Sequence, residues 1–356
     1  MIHSIKRKWI YILAFCGVLL LSACGKEKKT ENDPRYKKQP SKVVGFSQLG
    51  AESDWRVANT ESVKNTFTRE KGYELLFDDG QQKQDKQIMA MRKFIQQEVD
   101  YIILAPVTET GWDTVLMEAH DAGVPVIVVD RKVDIKDEND YLAWVGSDFV
   151  REGQAACEWL KSFADAKGIK AEDIHIADIQ GTIGATAQIG RTQSLAKACR
   201  ENGWNLVASE PADYTEAKGY EVVSRLLREH EEINVLYCEN DNEALGAIIA
   251  VEEQGRKVGT DIKNGEIMII SFDAARAGLR KVLEGKIALD VECNPLQGPE
   301  IERIINDYAA GKNVEKYTYV SEQIFAADNT VKEIKIGNDS CSITLVTEEL
   351  LNGREY

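Results

Sequence analysis

Tyr101-Ile-Ile-Leu-Ala105, then Trp112-Asp-Thr-Val-Leu-Met-Glu-Ala-His-Asp-Ala122 closed by Gly123, then Pro125-Val-Ile-Val-Val-Asp-Arg131 is the stretch that decides the fold. Two unbroken apolar runs flank one helical pattern. A strand with one wet face alternates apolar and polar residues, so a continuous run means burial on both faces: a parallel sheet covered by helices. Upstream, Val43–Phe46 and Tyr73–Phe77 read as strands. A helix is expected over Trp55–Lys71, with Ser53 or Asp54 as N-cap and Gly72 as stop, and another over Lys83–Gln97 with Ile88, Met91 and Ile95 inward. The rhythm restarts after Asp148. Helices are expected over Val150–Ala166, Thr192–Asn202, Thr215–Glu229, Glu243–Gln254, Ala275–Glu284 and Pro299–Ala310. Strands are expected over Ile174–Ile179, Asn205–Ala208, Asn234–Cys238, Ile267–Ser271 and Ala288–Glu292, with a β-rich stretch following the last helix. Two such series predict an α/β protein of two doubly wound parallel-sheet lobes.

The first residues bear on the compartment. Lys6, Arg7 and Lys8 precede an apolar run from Trp9 to Leu21. That run is shorter than the roughly 20 apolar residues a spanning helix needs and suits a secretory signal. It closes on Leu21-Ser22-Ala23-Cys24, which resembles the lipobox of bacterial lipoproteins and implies lipidation of Cys24. We therefore expect a lipoprotein signal over 1–24 and a flexible, polar tether over 25–41. The expected location is extracytoplasmic, lipid-anchored to the cell membrane.

The chain carries 44 Lys+Arg against 59 Asp+Glu, a formal net charge of −15. Such a surface repels phosphate backbones and disfavours nucleic-acid binding. Past Cys16 and Cys24, the cysteines at 157, 199, 238, 293 and 341 are odd in number and lack paired spacing. They predict neither a disulfide framework nor a zinc site, and Cys199 and Cys238 fall in apolar patterns of the core.

Ligands of open parallel sheets bind beyond the carboxyl ends of the strands. Those positions hold Ser47, Asp78-Asp79 and Asp130-Arg131 in the first series, and Gln180, Asn240-Asp241, Asp273 and Cys293-Asn294 in the second. Any one of them serves equally well as a helix cap. Their recurrence favours a sugar, because hydroxyls both donate and accept and are gripped by carboxylates opposite Arg or Asn. The apolar face of a sugar ring calls for an aromatic platform, for which Trp55 and Tyr214 are the candidates.

Several segments together resemble the ribose/galactose class of periplasmic binding proteins across 42–330. They are Val-Gly-Phe-Ser at 44–47, Asp-Gly-Gln-Gln-Lys-Gln at 79–84, Pro-Val-Ile-Val-Val-Asp-Arg at 125–131, Gln-Gly-Thr at 180–182 and Pro-Ala-Asp-Tyr at 211–214. Asn-Asp-Asn-Glu-Ala-Leu-Gly-Ala at 240–247 and Ser-Phe-Asp at 271–273 complete the set. Ser-Asp-Trp-Arg at 53–56 most resembles the branch of galactofuranose-binding lipoproteins of ABC transporters. The resemblance implies a hinged clamp of the type I fold. Its N-terminal lobe would be 42–146 plus 294–321 and its C-terminal lobe 147–293 plus 322–356. Three crossings are implied near Gly146–Ser147, Cys293–Asn294 and Ser321–Glu322. It further implies that Asp130 and Arg131 grip hydroxyls from one lobe and Arg191, Asn240 and Asp273 from the other. Trp55 and Tyr214 would sandwich the ring, Arg56 would add a polar contact, and Glu52 and Gln297 lie near enough to contribute. Cys293 stands where ribose binders commonly carry Gln, which argues against ribose itself.

The implied function is delivery of a monosaccharide (galactofuranose-like, or another pentose or hexose) to an ABC permease with its cytoplasmic ATPase. The implied protein is a monomer using no cofactor or metal. Three rival readings stand beside it. An enzyme would need a catalytic motif, and the sequence has no GxxxxGK[ST], GxSxG or HExxH, with His only at 3, 120, 175 and 230. Gly181-Thr182-Ile183-Gly184 lacks a following Lys and reads as a strand-to-helix turn. A transcriptional regulator would need a DNA-binding helix-turn-helix where the signal stands. A sugar sensor docking on a membrane receptor kinase would use the same surfaces as a transporter component, and the sequence alone leaves that alternative open.

Overall fold

The computed structural model describes residues 42–356. The basic head, Cys24 and the expected tether to residue 41 lie outside the described residues. In the first series β1 (Lys42–Gln48), β2 (Tyr73–Asp79), β3 (Tyr101–Leu104), β4 (Val126–Val129) and β5 (Ala143–Gly146) surround α1 (Asp54–Thr66), α2 (Gln84–Gln96) and α3 (Asp113–Asp121). The second series begins with α4 (Phe149–Lys167), β6 (His175–Gln180), α5 (Thr186–Asn202), β7 (Asn205–Pro211) and α6 (Glu216–Glu229). It continues through β8 (Val235–Cys238), α7 (Asp241–Glu253), β9 (Lys257–Val258), β10 (Glu266–Asp273), α8 (Arg276–Leu283) and β11 (Leu289–Glu292). Then come α9 (Gly298–Ala309), β12 (Tyr317–Tyr319), β13 (Ile324–Ala326), β14 (Glu333–Ile336), β15 (Asp339–Ser342), β16 (Thr344–Leu345) and α10 (Glu348–Gly353).

The strands form two main sheets. The first has the order β12-β5-β4-β3-β1-β2, parallel throughout. The second runs β16-β13-β11-β10-β8-β6-β7, with β9 beside β10 and β13 antiparallel to β11. Each is sandwiched as the continuous apolar runs require. On one face of the first sheet Phe46, Ile103 and Val129 pack with Val63 of α1 and Ile301 and Ile304 of α9. On the other, Ile102, Leu104 and Val128 pack with Met91 and Phe94 of α2 and Leu116 of α3. In the second sheet Ile176, Tyr237 and Ile270 meet Trp159 and Phe163 of α4, while Ile179, Leu236 and Ile269 meet Val223 of α6 and Val251 of α7. The result is an α/β protein of two doubly wound lobes.

The chain passes between sheets three times: after β5, after β11 and between β12 and β13. The crossings touch one another. Ser147 donates its hydroxyl to Glu322, lies 3.3 Å from Cys293 Sγ, and Asn294 N donates to Glu322 Oε1 at 3.1 Å. No helix among the described residues is long and apolar enough to cross a membrane.

Several local boundaries and faces differ from expectation, and three of them bear on packing near the site. Helix α1 ends at Thr66, short of Lys71, because Phe67 leaves helical angles and turns its ring edge-on to Tyr73 at 4.9 Å. Helix α5 begins six residues early, at Thr186 instead of Thr192, and so carries Arg191 within it. On α2 the buried face is Gln87, Ala90, Met91 and Phe94, with Ile88 and Ile95 only partly covered, a rotation that aims Gln87 at the ends of β1 and β3.

Candidate functional site

Helix α1 starts where β1 ends, and Ser53 fixes the start by accepting from Arg56 N at 3.2 Å. The first turn therefore holds Trp55 and Arg56 at the sheet tip. Arg56 Nη2 donates to Asp130 Oδ2 at 2.6 Å and Nε to Glu52 Oε1 at 3.1 Å. Burial works against the Arg56 charge, yet Asp130 and Glu52 hold its pKa above the ordinary value. Arg131 donates Nη1 to the Val107 carbonyl at 2.5 Å and stands 5.4 Å from the Tyr214 ring. Burial and the Arg56 charge pull the Arg131 pKa down.

The second lobe presents a matching set. Arg191 donates Nε to Glu152 Oε2 at 2.8 Å and Nη1 to the Glu239 carbonyl at 2.5 Å, and its guanidinium lies 4.6 Å from the Phe272 ring. Its Nη2 approaches Asp273 Oδ1 at 3.8 Å. Burial opposes the Arg191 charge, but Glu152, Cys293, Asp273 and Tyr214 together outweigh it, leaving the pKa raised. Burial also pushes the Asp273 carboxyl well above the usual carboxylate range despite Arg191. Asn240 caps α7 by accepting from Glu243 N at 2.8 Å, and its amide donates to the Tyr214 carbonyl at 3.2 Å. The capping role and the position at the site belong to one residue.

These groups surround a tight cavity between the lobes. Trp55, Arg56, Asp130, Arg131, Arg191, Tyr214, Asn240 and Asp273 all line it, as do Glu52, Ser53, Phe149, Ala187 and Cys293. Three of the liners hold left-handed backbone angles without being glycine: Asp130 at φ 61°, Tyr214 at φ 63° and Asp273 at φ 104°. Such conformations cost about 1–3 kcal/mol each and concentrate where side-chain placement matters more than backbone ease. Glu52 Oε2, Arg56 Nη1 and Tyr214 OH are buried polar atoms without a hydrogen-bond partner. Unmatched donors and acceptors lining a cleft suit a ligand rich in hydroxyls. Trp55, Phe149 and Tyr214 supply apolar walls, and Trp55 Nε1 donates to the Cys293 carbonyl at 2.6 Å, tying α1 to a hinge crossing.

Ser47 corrects the sequence reading: it does not line the cavity. The residue is fully buried and paired with Asp78 on β2, and its oxygens face Gln87 Nε2 of α2 at 3.4 and 3.5 Å. Asp78 and Asp79 stay on the edge strand β2, Gln180 bonds Thr192, and Asn294 bonds the Ser321 carbonyl, so these tips are also absent from the lining. Gln297 accepts from Asn59 instead. Phe149 was missed. It opens a helix directly after a crossing, as Trp55 opens one after β1, but the expected start at Val150 hid that parallel.

Among the described residues Glu152, Cys293 and Glu322 bring possible metal-donor atoms within 4.8 Å of one another. Burial raises the pKa of all three. The arrangement as a whole can bind and orient a small polar ring; the cavity lining contains no histidine and no serine–histidine pair for acyl or phosphoryl chemistry.

A family model described as periplasmic binding protein domain matches residues 44–313. The galactofuranose-binding protein YtfQ of Escherichia coli (strain K12) is 35% identical over 299 residues, 82% of this chain and 90% of the relative. A Mycobacterium smegmatis structure in complex with β-D-fucofuranose is 39% identical with a TM-score of 0.76, covering 82% of this chain and 93% of that one. The periplasmic binding protein component of the arabinose ABC transporter of Shewanella sp. ANA-3, bound to α- and β-L-arabinofuranose, is 36% identical with a TM-score of 0.74. It covers 81% of this chain and 93% of the other.

Proposed function

The chain belongs to the periplasmic binding proteins, and from that premise we propose that it binds a monosaccharide in the furanose form and hands it to an ABC importer. The observation that carries the reading is the pairing of Arg56, Asp130 and Arg131 from one lobe with Arg191, Asn240 and Asp273 from the other across one aromatic-walled cavity. Asp130, Arg131, Arg191, Asn240 and Asp273 hold ring hydroxyls, Trp55 and Tyr214 cover the ring faces, and Arg56 with Glu52 fixes Asp130. Relatives at 39% and 36% identity with furanoses bound support the ring form. Ligand closes the lobes 42–146 plus 294–321 and 147–293 plus 322–356, a division supported by strand membership of the two sheets. The closed monomer docks on permease subunits served by a cytoplasmic ATPase, while Cys24 anchors it by lipid outside the cytoplasmic membrane. No catalytic step, cofactor, metal or nucleic acid enters this reading.

Calorimetric titration with D-galactose, L-arabinose, D-fucose, D-ribose and D-fructose, whose solutions each hold some furanose, tests it. The expected outcome is saturable binding of an aldose with the furanose ring in a crystal of the complex, and recovery of the sugar unchanged. A pyranose in the cleft overturns the ring form. Turnover overturns the binding-only role, and silence across the panel overturns the sugar.

A further inference from the structure

Beyond the residues matched by the family model, the chain returns to the site. Segment 347–356 leaves β16, forms the short α10 and reaches the base of the loop that carries Asp273. Arg354 Nε donates to the Ala274 carbonyl at 3.0 Å, and its Nη2 lies 2.7 Å from Glu292 Oε1. Tyr356 OH donates to the same Glu292 oxygen at 2.6 Å and is bonded to Arg354 in turn. Arg276 N donates to the Tyr356 carbonyl at 2.9 Å, and the Arg276 side chain bonds the Arg354 carbonyl. Arg354 and Glu292 are 11% and 5% exposed, so the pair is a shielded one, with the Arg354 guanidinium also over the Tyr356 ring at 4.1 Å.

Two places that matter for binding meet at this cluster. Asp273 and Ala274 both hold left-handed angles, φ 104° and φ 53°, which no side chain of theirs favours; strain of that kind persists only where neighbours over-determine it. Glu292 immediately precedes the Cys293 crossing, and its second oxygen accepts from Gln323 N at 2.7 Å, beside the Glu322 crossing. One guanidinium therefore links the strained ligand loop to two of the three hinge strands.

We propose that Arg354 and Tyr356 form a clasp that positions Asp273 for the ligand and couples that loop to the hinge. They are positioning residues, touching no ligand themselves. The inference rests on the reading of the interlobe cavity as a sugar site. A planar fork is needed, because two acceptors in different directions are served at once; Lys at 354 supplies charge to Glu292 without the Ala274 contact.

The test compares intact protein with Arg354→Ala, Arg354→Lys and Tyr356→Phe, using Arg280→Ala as control because Arg280 makes only an exposed pair with Glu348 at 4.0 Å on the same surface. Hydrogen exchange without sugar and calorimetric affinity well below each variant's melting temperature are both read. Arg354→Ala is expected to speed exchange selectively at 272–276 and 292–294 and to weaken sugar binding on the order of tenfold or more. Lys is expected to leave the 272–276 exchange fast, Tyr356→Phe to give a smaller loss, and Arg280→Ala no change. Unchanged exchange at 272–276, or faster exchange with full affinity, overturns the clasp. If intact protein binds no sugar of the panel, the functional reading fails on its own, and the exchange pattern still decides whether the segment orders the Asp273 loop.

Discussion

Asp130 shows how much one residue can be asked to do. Its carboxylate takes Arg56 Nη2 at 2.6 Å, its carbonyl takes Trp144 Nε1 at 3.1 Å, and its backbone sits at φ 61°. Removing the side chain leaves Arg56 paired to Glu52, so the buried guanidinium keeps one anion. Asp130→Ala is therefore expected to stay folded while abolishing the sugar-induced thermal shift, since a charged hydrogen bond to a hydroxyl contributes about 1.5–3 kcal/mol. Arg131→Ala is expected to do the same. A thermal shift retained by both variants would move the ligand elsewhere. Ser47 belongs to the same scale for the opposite reason. A polar residue at a strand tip is a candidate by position, but a neighbouring helix claimed it through Gln87.

At the level of elements, the turn between β6 and α5 and the loop between β7 and α6 are built against each other. A Cβ on Gly181 would lie 1.9 Å from Cζ of Tyr214, so the absence of a side chain there is what lets the ring stand in the cavity. Gly181→Ala is expected to displace Tyr214 and weaken sugar binding by about tenfold or more, the scale of a lost ring contact and its packing. Affinity within twofold of the parent would show that Tyr214 is not a wall of the site. The four-residue glycine-flanked turn was readable as a strand-to-helix link. That its first glycine is a footing for an aromatic residue 33 positions later is a tertiary fact, since all of α5 and β7 lie between Gly181 and Tyr214.

For the whole molecule, buried carboxyls make stability depend on pH. Burial raises Asp178, in β6, and Asp290, in β11, to about 7. Each also keeps one oxygen without a hydrogen-bond partner. A carboxyl with a raised folded pKa holds its proton where the unfolded chain has lost it. The folded state therefore binds more protons between about pH 4 and 7, and stability falls as pH rises through that window. Asp178→Asn does not titrate, so denaturant unfolding is expected to show its stability relative to the parent improving from pH 4 to 7. The improvement should reach up to about 4 kcal/mol for a shift of roughly three units. A difference independent of pH would mean that Asp178 is ionised in the folded protein. Burial likewise raises Glu152, paired with Arg191, and Glu322, beside the hinge.

The sequence by itself determined the alternation of strand and helix, the burial of both faces of each sheet and the strand tips that were worth inspecting. These follow from local periodicity and from charge, which need no partner to be read. Eight of the nine expected ligand residues stood on such tips, first turns or motif matches and line one cavity. Tertiary structure alone decided the rest. It chose Gln87 over the ligand for Ser47, brought Phe149 to the wall, and returned Arg354 and Tyr356 to the loop of Asp273. The physical reason is the same in each case. A side chain's partner is settled by which surfaces meet when two sheets close on a hinge, and that meeting leaves no periodic trace along the chain.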